Sequence, residues 1–127
     1  VMNFCQIMKE IQRSQLRNNL PVLSLGDTIC VGVLIQEGNK QRVQTYQGVL
    51  IRQRRSIRVR TITVRRIFQG IGVERIFLLH SPIIQFIEVR RCTKTRRAKL
   101  YYLRKLKGKA TRLREVFMKS LLQIIIK

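Results

Sequence analysis

The sequence predicts a small, mainly β protein built around an antiparallel barrel, and three observations support this fold class. The chain has 127 residues and is 45% hydrophobic, so a single domain with a modest core is expected. Five short segments rich in β-branched residues follow one another in its middle part. Turns that contain Gly or Pro separate these segments, which is typical of small antiparallel barrels.

The N-terminal region, residues 1–20, is expected to form one helix over residues 3–17. Four apolar residues follow the spacing of a single helix face: Phe4, Ile7, Met8 and Ile11. Pro21 limits the helix, because proline disfavours a helical conformation in the residue before it. We expect the apolar stripe to be a docking surface.

Residues 21–91 are expected to form the barrel. The predicted strands cover residues 28–35, 42–52, 57–68, 73–79 and 83–90. Turns are predicted at residues 37–40, at Gly70-Ile71-Gly72 and at Ser81-Pro82. In the second strand, alternate residues from Val43 to Ile51 share one face.

Residues 92–127 differ in character and predict a basic, partly helical C-terminal extension. Helical spacing returns over residues 109–119, with Ala110, Leu113 and Phe117 on one side. Residues 121–126 form an apolar tail that is too short to span a bilayer. This tail is expected to pack on a neighbouring protein or on the barrel itself.

The charge indicates a polyanionic partner. The chain has 27 Lys and Arg against 6 Asp and Glu, a formal net charge of +21. RNA, DNA and anionic membranes would all relieve the resulting self-repulsion. The cations extend from Lys9 to Lys127, and this spread favours a partner that touches several faces, as folded RNA does.

Two basic clusters are the clearest functional signals. In residues 96–104, Arg and Lys alternate with Tyr101 and Tyr102, a mixture that suits phosphates and exposed bases. The tyrosines alone are also explained by core packing. Residues 52–66 carry a run of arginines; edge-strand protection against aggregation is the alternative, for which Lys is the commoner residue.

We therefore expect RNA contacts from both clusters and from the cations around them. The candidate RNA-binding residues are Lys40, Arg42, Arg52, Arg54, Arg55, Arg58, Arg60, Arg65, Arg66, Arg75, His80, Arg90, Arg91, Lys94, Arg96, Arg97, Lys99, Tyr101, Tyr102, Arg104, Lys105, Lys107, Lys109, Arg112 and Arg114.

No pattern indicates catalysis, a metal site, a cofactor or a small-molecule substrate. The three cysteines lack metal-ligand spacing and are expected to be reduced, two of them packed as small apolar groups. The acids are scattered, and Gly70-Ile71-Gly72 lacks the rest of a phosphate loop. His80, the only histidine, is expected to stabilise a turn or to contact RNA.

Three other function classes compete with structural RNA binding. A general or chromatin-like nucleic-acid-binding module would share the charge but would not prefer folded ribosomal RNA. A membrane-active basic protein would use the apolar tail, although no run of about 18 apolar residues predicts a spanning segment and no signal peptide is visible. A nuclease would need clustered acids or a histidine pair.

Several motifs together resemble the bacterial-type large-subunit ribosomal protein nineteen family, in order and spacing from about residue 4 to residue 117. The most specific of them is Arg97-Ala98-Lys99-Leu100-Tyr101-Tyr102-Leu103-Arg104. The others include Glu37-Gly38-Asn39-Lys40-Gln41-Arg42, Thr63-Val64-Arg65-Arg66-Ile67, Gly72-Val73-Glu74-Arg75-Ile76-Phe77 and His80-Ser81-Pro82.

The resemblance implies an SH3-like barrel with an N-terminal helix and a basic extension. It further implies a non-enzymatic protein that binds large-subunit ribosomal RNA and helps to form bridges to small-subunit RNA. Proteins of ribosomal families fourteen and three are implied neighbours. The Ile-rich, acid-poor composition is what an AT-rich organellar genome would produce, so a ribosome of the chloroplast stroma is expected; the bacterial cytoplasm and the mitochondrial matrix are the alternatives.

Overall fold

The computed structural model describes residues 1–56 and 59–116. It contains one helix, α1 (Phe4–Ser14), followed by five strands. The strands are β1 (Thr28–Glu37), β2 (Lys40–Arg55), β3 (Arg60–Phe68), β4 (Ile71–Leu78) and β5 (Ile84–Arg91). Two short 3-10 turns, Tyr101–Arg104 and Gly108–Thr111, lie in the extension.

The five strands form one antiparallel sheet in the order β4-β3-β2-β1-β5. The mainly β prediction with one N-terminal helix is therefore confirmed. Within the described residues the sheet does not close, because β4 and β5 do not pair, so the fold is barrel-like but open. Register shifts in the β1–β5 and β2–β3 pairs bend the sheet around its core.

Alternate residues of the strands fill this core. Ile29, Val31 and Val33 of β1 point inward at period two, as the pleat of a strand requires. They pack with residues of every other strand: Leu50, Ile62, Val64, Phe77, Leu79 and Ile84. Cys30 and Cys92 are also buried, as expected, whereas Cys5 is exposed.

The turn before β4 lies earlier than predicted. It is centred on Gln69 and Gly70, both with positive φ (50° and 79°), which suits a two-residue hairpin turn. Ile71 and Gly72, predicted to be turn residues, therefore begin β4 and pair with Phe68 and Ile67.

The helix is confirmed but shorter than predicted, because it ends at Ser14 rather than at residue 17. Its start is fixed by Asn3, whose N–H donates to Gln6 Oε1 at 3.1 Å. The apolar stripe is exposed, with Phe4 at 77% and Ile11 at 47%. The described part of the chain therefore does not cover the expected docking surface.

The predicted helix over residues 109–119 is wrong for residues 112–116, and its residues 117–119 lie outside the described chain. Only Gly108–Thr111 forms a helical turn, and the chain then runs extended. Glu115 bridges to Thr93, and the Val116 N–H donates to the Cys92 carbonyl at 2.9 Å. Backbone pairing with residues 92–94 has replaced the helix. Phe117 and the apolar tail lie outside the described residues.

Candidate nucleic-acid interface

A buried aspartate anchors the start of the extension on the barrel. Asp27 is 1% exposed, and its Oδ1 accepts the Thr93 N–H at 2.9 Å while its Oδ2 accepts the Ser24 N–H at 3.0 Å. The preceding Gly26 has a φ of 87°, and a Cβ there would overlap the Thr93 hydroxyl. The chain can leave β5 and cross the start of β1 only because these residues fit closely.

A second, apolar contact holds the middle of the extension. Leu100 and Leu103 are buried against Ile51 on the face of β2 that points away from the main core. The Leu100 N–H donates to the Ile51 carbonyl at 2.9 Å. This is the face predicted to carry Val43 to Ile51, and the extension covers only its Val49–Ile51 end.

A third contact is a carboxylate shared by two arginines. Glu74 of β4 accepts two hydrogen bonds from Arg104, at 2.7 Å from both Nε and Nη2, and one from Arg65 Nη1 at 3.0 Å. Hydrogen bonds from Arg104 above all, with a smaller contribution from Arg65, hold the pKa of Glu74 below its usual range despite partial burial. Glu74 therefore stays ionised at neutral pH and joins the extension to the sheet.

The two tyrosines of the basic segment pack against the barrel, which leaves less of each ring free to stack on an exposed RNA base. Both are half-buried and pack beside Ile51 and Leu103. Arg104 lies 4.4 Å and Lys99 5.9 Å from the ring centre of Tyr101, and Arg97 lies 4.8 Å from that of Tyr102. The core-packing explanation is favoured for the rings, which in turn hold cations at the surface.

The cations of the extension are brought together on its outside. All of the predicted Lys and Arg residues of this segment are exposed: Lys94, Arg96, Arg97, Lys99, Arg104, Lys105, Lys107, Lys109, Arg112 and Arg114. We call this set the extension surface. The backbone N–H groups of Thr93 and Leu100 and the side chain of Arg104 fix this segment to the barrel, so its charges are presented from a preformed path.

The arginines of the β2–β3 hairpin form a separate group, the hairpin surface. Arg52, Arg54, Arg55 and Arg60 are exposed, and Arg55 faces Arg60 across the ladder. Arg58, predicted to belong here, lies outside the described residues. Like charges this close are unfavourable without an anionic partner.

Lys40 and Arg42 lie at the other end of β2. The strand has 16 residues, and at about 3.3 Å per residue its ends are about 50 Å apart along the strand. Arg42 pairs with the exposed Glu37 at 2.8 Å. The predicted cations at the two ends of β2 therefore do not form one patch.

Several other predicted residues are engaged within the protein. Arg90 pairs with Glu88 and Arg91 with Glu115, both at 3.1 Å and both at the surface. Arg66 and Arg75 lie 5.4 Å from the ring centres of Phe68 and Phe77. Arg65 is the most enclosed of this group, with a side chain 15% exposed beside Glu74.

A groove of about 530 Å³ runs between β2, β3 and the extension. It is lined by polar and small residues such as Thr45, Gln47 and Gly48, with Arg65 and Arg66 beside them. At Gly48 a Cβ would lie 2.5 Å from the Arg65 carbonyl oxygen, so glycine is required for β2 and β3 to approach. The groove offers hydrogen-bonding groups next to the extension surface.

His80 lies between the segment after α1 and the barrel. Its Nδ1 accepts the Arg17 N–H at 3.1 Å, and the Arg17 guanidinium donates to the Ile84 carbonyl. Burial first, then the nearby Arg60 and Arg17, lower the pKa of His80. Of the two roles expected for this histidine, stabilising the fold next to the Ser81-Pro82 turn is the favoured one.

Two acids that the sequence analysis treated as scattered, Asp27 and Glu74, turn out to position the extension. Their roles depend on partners 66 and 30 residues away in sequence, so the local sequence pattern around each acid could not predict these roles. No cluster of His, Cys, Asp or Glu in residues 1–56 and 59–116 could hold a metal ion. No helix in the same residues is long and apolar enough to cross a membrane.

Comparison with known proteins gives a consistent picture. The family model described as Ribosomal protein L19 matches residues 6–116. A Cyanothece protein named large ribosomal subunit protein bL19 is 54% identical over 120 residues, 94% of this chain and 100% of its own length. Large ribosomal subunit protein bL19c of Mesostigma viride is 58% identical over 118 residues, 93% and 99% of the two chains. The bL19 protein of a Nostoc species is 57% identical over 116 residues, 91% and 97% of the two chains.

Proposed function

Because the chain belongs to the ribosomal protein L19 family, we propose that it binds ribosomal RNA as a structural, non-enzymatic part of the large ribosomal subunit. The observation that carries this proposal is the extension surface, a row of exposed cations on a backbone fixed to the barrel at Asp27, Ile51 and Glu74. Fixed cations suit a folded RNA, whose phosphates lie in a defined arrangement.

The mechanism is electrostatic and steric. Six acids cannot neutralise 27 cations, so most of the positive charge is available to phosphates and releases counterions on binding. Arginine dominates the hairpin surface, and its planar fork can bond a phosphate through two N–H groups at once. The barrel contributes a rigid body that fills space between RNA helices.

The distribution of cations supports more than one RNA contact. The pair at Lys40 and Arg42 lies tens of Å along β2 from the hairpin surface, and the extension surface follows a separate path over Val49–Ile51. We assign the main contact to large-subunit RNA and propose a second contact to small-subunit RNA across the interface. Proteins of families fourteen and three are the proposed neighbours.

A plastid ribosome is the proposed location. The relative from Mesostigma viride carries the name bL19c, and the cyanobacterial relatives are 54–57% identical to this chain. These relatives are consistent with a plastid ribosome, and the Ile-rich composition favours the chloroplast over the bacterial cytoplasm or the mitochondrial matrix.

The proposal is tested by sedimentation of an organelle lysate on sucrose gradients at low and at high salt, with crosslinking of protein to RNA beforehand. The protein is expected with the large subunit in both gradients, crosslinked mainly to large-subunit RNA and, in joined ribosomes, to small-subunit RNA as well. Recovery at the top of the gradient, or with DNA or membranes, would contradict the proposal. Crosslinks to large-subunit RNA alone would remove the bridging part of it.

A further inference from the structure

Glu74 is an acidic residue inside the most basic part of the molecule. Removing it would raise the net charge of +21 by one unit, and electrostatics alone then predicts tighter binding to any polyanion. The contacts of Glu74 instead predict weaker binding when it is removed, because its carboxylate holds two arginines that belong to different elements.

The first arginine, Arg65, lies in a narrow space between Gly72 and Glu74. Its guanidinium lies directly over Gly72, where a Cβ would overlap it, and it donates to Glu74 Oε1 at 3.0 Å. With a side chain only 15% exposed, Arg65 acts as an internal cation that keeps the Glu74 carboxylate ionised and in place. A Cβ at position 72 would push the Arg65 guanidinium out of this position.

The second arginine, Arg104, is bound in a fork by both oxygens of the same carboxylate, at 2.7 Å each. Two oxygens and two parallel N–H groups fix the plane of the guanidinium as well as its position. The same guanidinium lies 4.4 Å from the ring centre of Tyr101, so the ring and the carboxylate hold it from two sides. Its other N–H groups remain directed away from Glu74 and available to phosphate.

We infer that Glu74 is a positioning residue that sets the extension surface in its RNA-binding shape before RNA arrives. Apart from this ion pair, the contact of residues 100–106 with the barrel is mainly apolar: Leu100 and Leu103 are buried, and Tyr101, Tyr102 and Leu106 pack around them. Without Glu74, the exposed cations of residues 99–107 would repel one another on a segment whose remaining contacts with the barrel are this apolar packing and the hydrogen bond from the Leu100 N–H to the Ile51 carbonyl. Part of the binding free energy would then be spent on ordering that segment.

The inference rests on the proposed RNA-binding function, and its test uses the full-length protein with deproteinised large-subunit ribosomal RNA. Glu74→Gln is expected to weaken binding by about three- to tenfold at physiological ionic strength, the size of effect of a typical net hydrogen bond, because partial exposure to solvent reduces the contribution of the charges. The matched control is Glu37→Gln, which removes the same charge from an exposed pair with Arg42 and is expected not to weaken binding.

A second measurement on the free protein is independent of RNA. Amide hydrogen exchange of Leu103 and Lys105, which donate to Leu100 and Tyr102 carbonyls, should accelerate in Glu74→Gln, while exchange in β1 and β2 stays slow. Glu74→Asp keeps the charge but shortens the side chain, so it is expected to show a smaller effect of the same sign. It also serves as the test variant if Glu74→Gln does not fold.

The outcomes separate the two proposals. If the wild-type protein shows no preference for ribosomal RNA over duplex DNA, the proposed function is wrong and the role of Glu74 falls with it. If the wild type shows that preference but Glu74→Gln binds as tightly or more tightly, or leaves the exchange of Leu103 and Lys105 unchanged, only the role of Glu74 is overturned.

Discussion

Asp27 and Glu74 each hold a different part of the extension. Asp27 does so from a buried position through two backbone N–H groups, and Glu74 does so near the surface through two guanidinium groups. Glu74 is an ionised acceptor, and its hydrogen bonds are therefore stronger than bonds between neutral groups. In a chain with only six acids, a third of them serve to place cations.

His80 makes the stability of the folded protein depend on pH, and a single substitution can separate this contribution from others. The pKa of His80 is lowered from 6.5, because burial and two arginines disfavour its charged form. As the pH falls below 6.5, the unfolded chain therefore binds a proton that the folded chain does not. The contribution of His80 to stability is present above pH 6.5 and is lost progressively below it.

We predict that the free energy of unfolding of the wild type, measured in urea, falls between about pH 7 and pH 5.5. His80→Gln should lack this part of the decline, since a Gln oxygen can still accept the Arg17 N–H but does not titrate. Parallel pH profiles for the two proteins would contradict this assignment of His80.

At the scale of elements, the extension behaves as part of the fold and not as a loose tail. Its three contacts with the barrel involve a buried carboxylate, two buried leucines and an ion pair. Lys105 and Lys107 project from it between the two 3-10 turns and are both exposed. They are therefore suitable positions for measuring how many phosphates the extension surface contacts.

Replacing Lys105 and Lys107 together by Ala should reduce the slope of log K against log salt concentration by about 1.4 to 1.8, which corresponds to two lost phosphate contacts. The matched control replaces Lys9 and Arg13, two exposed cations of α1 outside the predicted interface, and should leave the slope unchanged. Equal slopes for the two double variants would show that the extension surface has no special part in binding RNA.

The elements that the sequence predicted well are those with a strong local pattern. The five strands were recognisable because segments rich in β-branched residues are separated by turns that contain Gly or Pro. The helix α1 was recognisable because its apolar residues share one face. Residues 109–119 have helical spacing too, but Leu113 packs towards Gly26 and Glu115 bridges to Thr93, so tertiary contacts override it. Periodicity could not predict that the apolar stripe of α1 is exposed, because a periodic pattern identifies an apolar face but not what covers it.

The candidate site was predictable in its charge but not in its arrangement. Composition and the cluster at residues 96–104 indicated RNA binding, and the extension does present these cations together. The ladder, however, places Lys40 and Arg55 at opposite ends of β2. Glu74 joins Arg65, nine positions before it, to Arg104, 30 positions after it, and no local pattern could reveal this contact.

For the whole molecule, the balance of 27 cations against six acids decides how it responds to salt. The ion pairs of the described residues lie mostly at the surface and contribute little individually. Repulsion among the remaining cations is the larger effect, and it is screened as the Debye length falls from about 10 Å at 0.1 M salt to about 3 Å at 1 M. Screening should therefore stabilise the free protein.

We predict that the melting temperature of the RNA-free protein rises between about 0.1 M and 1 M KCl. The double variant Lys105→Gln with Lys107→Gln should show a smaller rise, because it carries less charge to screen. A melting temperature that falls with salt would mean that the ion pairs, with Glu74 at their centre, outweigh the repulsion.

The open sheet has one more consequence, which concerns copies of the protein that have not yet met RNA. In the described chain, β4 and β5 each keep one edge unpaired, and β4 also exposes Ile76 and Leu78. Such an edge can pair with the same edge of another copy and begin aggregation. Two copies that each carry +21 repel before their edges meet. The charge that we propose to bind RNA thus also opposes aggregation of newly made copies, and it is no longer needed for that purpose once each copy is fixed in an assembly.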